Sequence, residues 1–333
     1  MLNRMEMRVL RELCGNSRIS ASELSRKLGI SRYIASKNVE ALEAKLGLRY
    51  TLELNYRLLG FPSMHAIYIN FARKPKPGAL SKLIAGSSRI QLFATARGDF
   101  DALALALAKN PVEYSQLEVA LQFSLMSYGA EVHSAEVTLM RFGFVPIGNA
   151  LLAAASGIDD DTKRLLMALN ENSRQGLGAI SKAIGMDAEM VRYYMKKLEK
   201  AGIIKRYTAI MTNGVPKSRI AAFINYHVTS GIEERIAMER RRLYFAEPDE
   251  PYAANSLQEM WSISGAAQAF LLACFDSESA CEAMISEHNR IYRKDRPAVT
   301  KAFIDNVLLG FLPFRNMDVK SSYDTTGWPL DLL

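Results

Sequence analysis

A chain of 333 residues is too long for one compact core and suits two to four domains. A composition of 49% hydrophobic and 23% charged residues is globular, with no stretch of the eighteen apolar residues that a spanning helix needs; three scattered cysteines (Cys14, Cys274, Cys281) exclude a disulfide framework or a zinc knuckle. The formal charge of +7 is uneven: Lys and Arg outnumber Asp and Glu by 11 to 6 in residues 1–60 and by 10 to 7 in residues 158–214, and are outnumbered 21 to 22 elsewhere.

The first predicted helix covers residues 2–14, where Met5, Val9, Leu10 and Leu13 fall at helical spacing. Residues 19–30 form a second, opened by the capping box Ser20-x-x-Glu23 and closed by Gly29. A third runs from the cap Ser31 to Ala44, with Ala35, Val39 and Leu42 as its buried stripe and Arg32, Tyr33, Ser36, Lys37 and Glu40 facing out. A β-wing ending in Arg49-Tyr50-Thr51 follows, so residues 1–60 read as a winged helix-turn-helix, whose third helix enters the major groove. Over residues 61–149 the period changes. Strands at 65–71, 91–96, 101–109 and 132–141, with helices at 79–85 and 112–128, give the order βαββαβ, a ferredoxin-like unit. Residues 143–156, rich in Ala and Gly, read as a linker.

The order then recurs. Helices at 159–170, 177–184 and 187–201 make a second winged helix-turn-helix within residues 156–214. Its third helix buries Val191, Met195 and Leu198, presents Glu189, Arg192, Tyr193, Lys196 and Lys197, and leads through Gly202 to Arg206-Tyr207-Thr208. Residues 215–316 repeat the βαββαβ pattern, with strands at 221–228, 257–264, 269–275 and 299–307, and helices at 232–244, which carries Arg240, Arg241 and Arg242, and 278–293. Residues 317–333 form a tail whose Trp328, Leu330 and Leu332 suit docking on a neighbour. Three collinear anchors fix the duplication: Asn16-Ser17-Arg18 with Asn172-Ser173-Arg174, Gly98–Ala102 with Gly265–Ala269, and Gly143–Asn149 with Gly310–Asn316. The offset grows from 156 to 167, which places an insertion in the second copy, at residues 247–252. The fold class is α+β: two winged helix-turn-helix domains alternating with two ferredoxin-like domains.

This arrangement is similar to the Lrp/AsnC (feast/famine) transcription regulators, twice over. The resemblance is carried by Ile158-Asp159-Asp160-Asp161, Asn172-Ser173-Arg174, Leu198-Glu199-Lys200-Ala201-Gly202-Ile203-Ile204 and Tyr207-Thr208-Ala209, and in the first copy by Ser17-Arg18-Ile19, Glu23-Leu24-Ser25 and Leu28-Gly29-Ile30-Ser31. It implies duplex DNA as partner, sheet-mediated pairing, and an amino-acid-like effector held at a Gly-Asp/Glu-x-Asp turn between the central strands. Gly98, Asp99 and Asp101 match that turn; Gly265-Ala266-Ala267-Gln268 lacks both carboxylates.

The DNA-facing candidates are therefore Arg32, Tyr33, Ser36 and Lys37, and Arg192, Tyr193, Lys196 and Lys197, with Arg49 and Arg206 at the wings set to touch phosphate. A solvated helix face is the alternative for these groups, and plain turn chemistry is the alternative for Asp99 and Asp101. His65, His133, His227 and His288 show no metal spacing, and no phosphate loop, HExxH or nucleophile elbow occurs. The expectation is a protein that is not an enzyme and carries no cofactor or metal, and that works in the cytoplasm as a homodimer, away from membranes; the start MLNRMEMRVLREL is too charged for a signal peptide. Two rival readings share the fold: an effector-free architectural DNA binder, and a tetrapyrrole enzyme resembling the sirohaem decarboxylases, for which His65, His133 and His227 are candidate parts.

Overall fold

The computed structural model describes residues 3–139, 144–212, 220–227, 256–262, 268–275, 277–292 and 298–313. Outside them lie the expected helix at 232–244 with its arginine run, Gly265, Ala266 and Ala267 of the second turn, the insertion at 247–252 and the tail. Among the described residues no helix is long and apolar enough to cross a membrane.

The first helical unit is α1 (Arg4–Gly15), α2 (Ala21–Leu28) and α3 (Arg32–Leu46). Asn3, Ser20 and Ser31 cap the three N-termini by accepting backbone N–H groups, the first two as full capping boxes. Gly29, at φ 67°, ends α2 in the left-handed conformation that the helix-turn-helix corner requires. Val9, Leu13, Leu24, Ala35 and Leu42 are buried together, each large aliphatic side chain contributing about 1.5–3 kcal/mol. The second unit repeats the three-helix order with α7 (Asp160–Glu171), α8 (Leu177–Ile184) and α9 (Ala188–Lys200), where Asp159 and Asp187 cap the first and third helices and α8 starts at Gly176 without a side-chain cap.

The strands after α3 and α9 are not exposed wings. β1 (Leu48–Leu54) and β6 (Ile204–Met211) pair antiparallel with each other, Thr51 opposite Thr208. Each helical unit supplies one such strand, and a lone strand leaves its N–H and C=O groups unpaired. The two copies satisfy each other. The contacts are reciprocal about a pseudo-twofold axis, as in an isologous dimer interface. Ser17 and Ser173, equivalent residues, hydrogen-bond each other at 2.7 Å on the axis. Ser17 N–H donates to the Tyr207 carbonyl and Ser173 N–H to that of Tyr50. Arg18 lies over the Tyr207 ring and Arg174 over that of Tyr50, at 5.4 and 4.9 Å.

The first βαββαβ unit is β2 (Ser63–Phe71), α4 (Pro77–Ile84), β3 (Ile90–Gly98), β4 (Ala102–Ala108), α5 (Pro111–Leu125) and β5 (Ala130–Leu139). In the second, β7 (Ile220–His227), β8 (Ser256–Ser262), β9 (Gln268–Phe275) and β10 (Ala298–Leu309) are described, with α10 (Glu278–Tyr292) before the last strand. The eight strands close into one barrel, in the order β10-β3-β4-β2-β5-β8-β9-β7. Its seams, β5 to β8 and β10 to β3, join the copies. Full closure removes the sheet edges that single strands would leave open. Phe100, Phe223 and Phe270 pack in sequence inside, the first pair edge to face and the second tilted, with Leu103, Leu105 and Leu272 around them.

The segment expected to be a plain linker is core. Val145, Ile147, Leu151 and Leu152 are buried, the last two on a short helix, α6 (Asn149–Ala153), and they join the barrel interior to the core of the second helical unit. Its Ala content serves close packing rather than slack.

His65 lies on the outer face of β2, stacked on Tyr114 of α5 with ring centroids 3.3 Å apart. Its Nε2 donates to Ser63 Oγ at 2.7 Å, and that hydroxyl donates to Glu136 at 2.8 Å. Burial lowers the imidazole pKa from 6.5 to about 4. The unfolded chain therefore takes up a proton that the folded chain refuses, so this contribution to stability is complete above pH 6.5 and is lost as pH falls towards 4. Thermal melts between pH 7 and 4.5, above the carboxylate range, should decline more steeply for the wild type than for His65→Gln. Parallel slopes would acquit His65.

Candidate nucleic-acid interface

Each third helix turns its buried stripe, Ala35 and Leu42 or Val191, Met195 and Leu198, into its own core. The opposite face is consequently the one left to solvent. Arg32, Tyr33 and Lys37 are exposed on α3, Tyr33 to 71%, with Ser36 half-buried beside them. On α9, Arg192, Tyr193, Lys196 and Lys197 are exposed, Tyr193 to 58%. Lys37 pairs with Glu40 at 2.8 Å and Arg192 with Glu189 at 2.9 Å, both on the surface, where such pairs are weak and readily exchanged for phosphate. The Lys37 ammonium lies 6.0 Å from the Tyr33 ring centre and that of Lys197 5.5 Å from Tyr194. Each outward face thus interleaves cations with aromatic rings.

Sequence reasoning passed over Ile34 and Met190, exposed large apolar residues in the first turns of α3 and α9. They sit at the same place in the repeat, 156 residues apart, on the flank of the buried stripe, and that shared exposure off the apolar face is the signal that marks them.

Arg49 and Arg206 are held inside the contact between copies rather than on a wing. Arg206 pairs with Glu53 at 2.5 Å with 14% of its side chain exposed. Arg49 donates to the Asn170 carbonyl at 3.1 Å and lies over the Phe311 ring. Each occupies a strand that pairs with its counterpart, which turns these guanidiniums towards the other copy.

Gly98, Asp99 and Asp101 lie at a barrel seam. Gly98 has φ 129°, and a Cβ there would meet the Lys301 carbonyl at 2.7 Å, so glycine is required where β3 and β10 approach. Asp99 accepts the Lys301 N–H at 2.8 Å. Asp101 accepts the Phe71 N–H at 2.9 Å and pairs with Lys74 at 2.7 Å. Both carboxylates have structural partners. His65 and His133 do not converge: His65 is on the α5 side of the sheet, while His133 stacks on Tyr68 on the other face. The side chain of His227 lies outside the described residues.

The winged helix-turn-helix DNA-binding family model matches the chain twice, at residues 2–45 and 158–205. The HTH-type transcriptional regulator Ptr1 of Methanocaldococcus jannaschii is 30% identical over 111 residues, 33% of this chain and 74% of that protein. The solved structure of the sirohaem decarboxylase NirDL aligns with 96% of this chain and 97% of its own, at 12% identity and a TM-score of 0.60. An AsnC family regulator from Agrobacterium tumefaciens aligns with 40% of this chain and 89% of its own, at 17% identity and a TM-score of 0.35. The NirDL likeness corrects one expectation. An enzyme is built on this fold over the whole length of the chain, so the flat reading of a non-enzyme does not stand. Two matched winged helix-turn-helix units and a regulator relative covered over most of its length give the relationship: the chain belongs to the winged helix-turn-helix transcriptional regulators and carries the DNA-binding unit twice.

Proposed function

We propose that the protein regulates transcription by binding duplex DNA through α3 and α9 together, with Arg32, Tyr33, Ser36 and Lys37 on one helix and Arg192, Tyr193, Lys196 and Lys197 on the other. The observation that carries this is the intrachain pseudo-dyad: β1–β6 pairing and the Ser17–Ser173 contact set two helix-turn-helix units about one axis. Arginine suits guanine edges, and lysine and tyrosine suit phosphate. Work in the cytoplasm suits a partner of this kind. The test is binding of the purified chain to genomic duplex fragments across a salt series. Affinity should fall steeply as counterions compete; salt-independent or absent binding overturns the reading, and a tetrapyrrole absorbance band in the purified chain would favour the decarboxylase-like alternative suggested by the fold.

An amino-acid effector at Gly98, Asp99 and Asp101 would have to displace partners that these groups already hold, so the regulator is proposed without one.

Self-association runs through α5. Val112, Val119 and Phe123 on its outer side, and Met126 in the turn that follows, are exposed at heptad spacing, Phe123 to 70%. The equivalent positions of α10 include Ser279, Ser286 and Arg290. No Lys or Arg interrupts residues 111–126. Such a stripe is complementary to itself about a twofold axis, which favours a second copy of this chain, laid antiparallel, over a charged partner. Light scattering at micromolar concentration should give twice the chain mass, and the single-chain mass for Val119→Glu with Phe123→Glu. A wild-type chain that is already monomeric removes this contact.

A further inference from the structure

The pseudo-dyad makes the two recognition helices equivalent in position and leaves them unequal in chemistry. Aligned on their caps, Ser31 and Asp187, the buried positions correspond: Ala35 with Val191, Val39 with Met195, Leu42 with Leu198. The outward positions do not. Arg32 stands where the other helix has Ala188, Tyr33 where it has Glu189, Ser36 opposite Arg192, Lys37 opposite Tyr193, and Glu40 opposite Lys196. All five differ, and the last replaces an anion with a cation. The caps differ as well: a neutral hydroxyl starts α3 and a carboxylate starts α9, at the end of the helix from which base contacts are made.

Both stripes are apolar, so the differences in charge and polarity lie outside them and include the surface that would face DNA. A homodimeric helix-turn-helix protein presents one set of side chains twice and reads a palindrome. Here two sets are presented in an order fixed by a single chain. We propose that the operator of this protein is non-palindromic: two unlike sub-sites in an obligatory relative orientation, one read by α3 and one by α9, with centres about one helical turn, 34–36 Å, apart. The α3 sub-site is set by Arg32, Tyr33 and Lys37, and the α9 sub-site by Arg192, Tyr193 and Lys196. This rests on the DNA-binding reading above and adds to it a direction along the duplex.

The test is selection of binding sites by the full chain from a random duplex library, followed by two face exchanges. In the first, α3 takes the α9 face (Arg32→Ala, Tyr33→Glu, Ser36→Arg, Lys37→Tyr, Glu40→Lys, Ala41→Lys). In the second, α9 takes the α3 face (Ala188→Arg, Glu189→Tyr, Arg192→Ser, Tyr193→Lys, Lys196→Glu, Lys197→Ala). The wild type should enrich a site without dyad symmetry, and inverting one sub-site should weaken binding at least tenfold. Each exchange variant should enrich a palindrome, and the two palindromes should differ, so either variant suffices if the other folds poorly. A palindrome enriched by the wild type, or equal affinity for the inverted site, overturns the proposal while leaving DNA binding intact. Failure to enrich any duplex overturns the DNA-binding reading itself, and the proposal with it.

Discussion

Arg192→Glu combined with Lys196→Glu is expected to weaken duplex binding by roughly 100-fold or more, because good contacts from such residues are worth about 1–3 kcal/mol each. The salt dependence should change in step: losing two phosphate or base-edge cations should lower the slope of log K against log salt by about 2. Stability should barely move. Both side chains are exposed, and the one ion pair lost, Arg192 with Glu189, lies on the helix surface. Reversing two exposed lysines of α4 and its approach, Lys76 and Lys82, changes net charge equally but far from either recognition helix in the sequence, and serves as the control. If both double variants lose the same affinity, only net charge is being read and α9 has no special role. If the α9 variant binds like the wild type, the recognition face is misplaced.

Local order was legible in the chain because its causes are local. Val191, Met195 and Leu198 announce α9 through spacing alone, Ser20 and Glu23 announce the start of α2, and Gly29 its end. The duplication was legible for the same reason, since each Arg-Tyr-Thr follows its own helix. What Arg-Tyr-Thr does was not. Thr51 meets Thr208 across 157 residues of chain, and no periodicity within either strand tells it to pair with its twin rather than to form a wing. Arg49 and Arg206 were misread with it: a cation beside a recognition helix suits phosphate equally well until the neighbouring strand is known. Barrel closure is a third case. The Gly98-Asp99-x-Asp101 pattern reads as a sensor turn when β3 and β4 stand alone; its second reading, a glycine and a carboxylate fitted against Lys301, exists only once β10 is laid beside β3. Residues 144–155 show the reverse: small side chains that suit a flexible linker also suit a tight core, and only their burial decides.

Closure also makes the two copies a single mechanical unit, and Phe223 is the place to test that. It is 2% exposed and sits between Phe100 of the first copy and Phe270 of the second, with ring centroids 5.7 and 5.6 Å away. Phe223→Ala removes both aromatic contacts and leaves a cavity that the surrounding strands, hydrogen-bonded on both sides, have little freedom to fill. The cost should be about 3–5 kcal/mol, a large share of the stability of an ordinary domain. Where that loss is felt distinguishes one unit from two. If β7 and β9 were a separate domain, hydrogen exchange would quicken in the second copy while β3 and β4 kept their protection. Because β10 is hydrogen-bonded to β3 over Ala302–Leu309 and β5 to β8, the expected result is that β3, β4, β7 and β9 lose protection together and that urea unfolding remains one transition, shifted to lower concentration. Wild-type protection of β4 in the variant would mean that the barrel is two half-barrels in contact, and that the pseudo-dyad rests on β1, β6 and the Ser17–Ser173 bond alone.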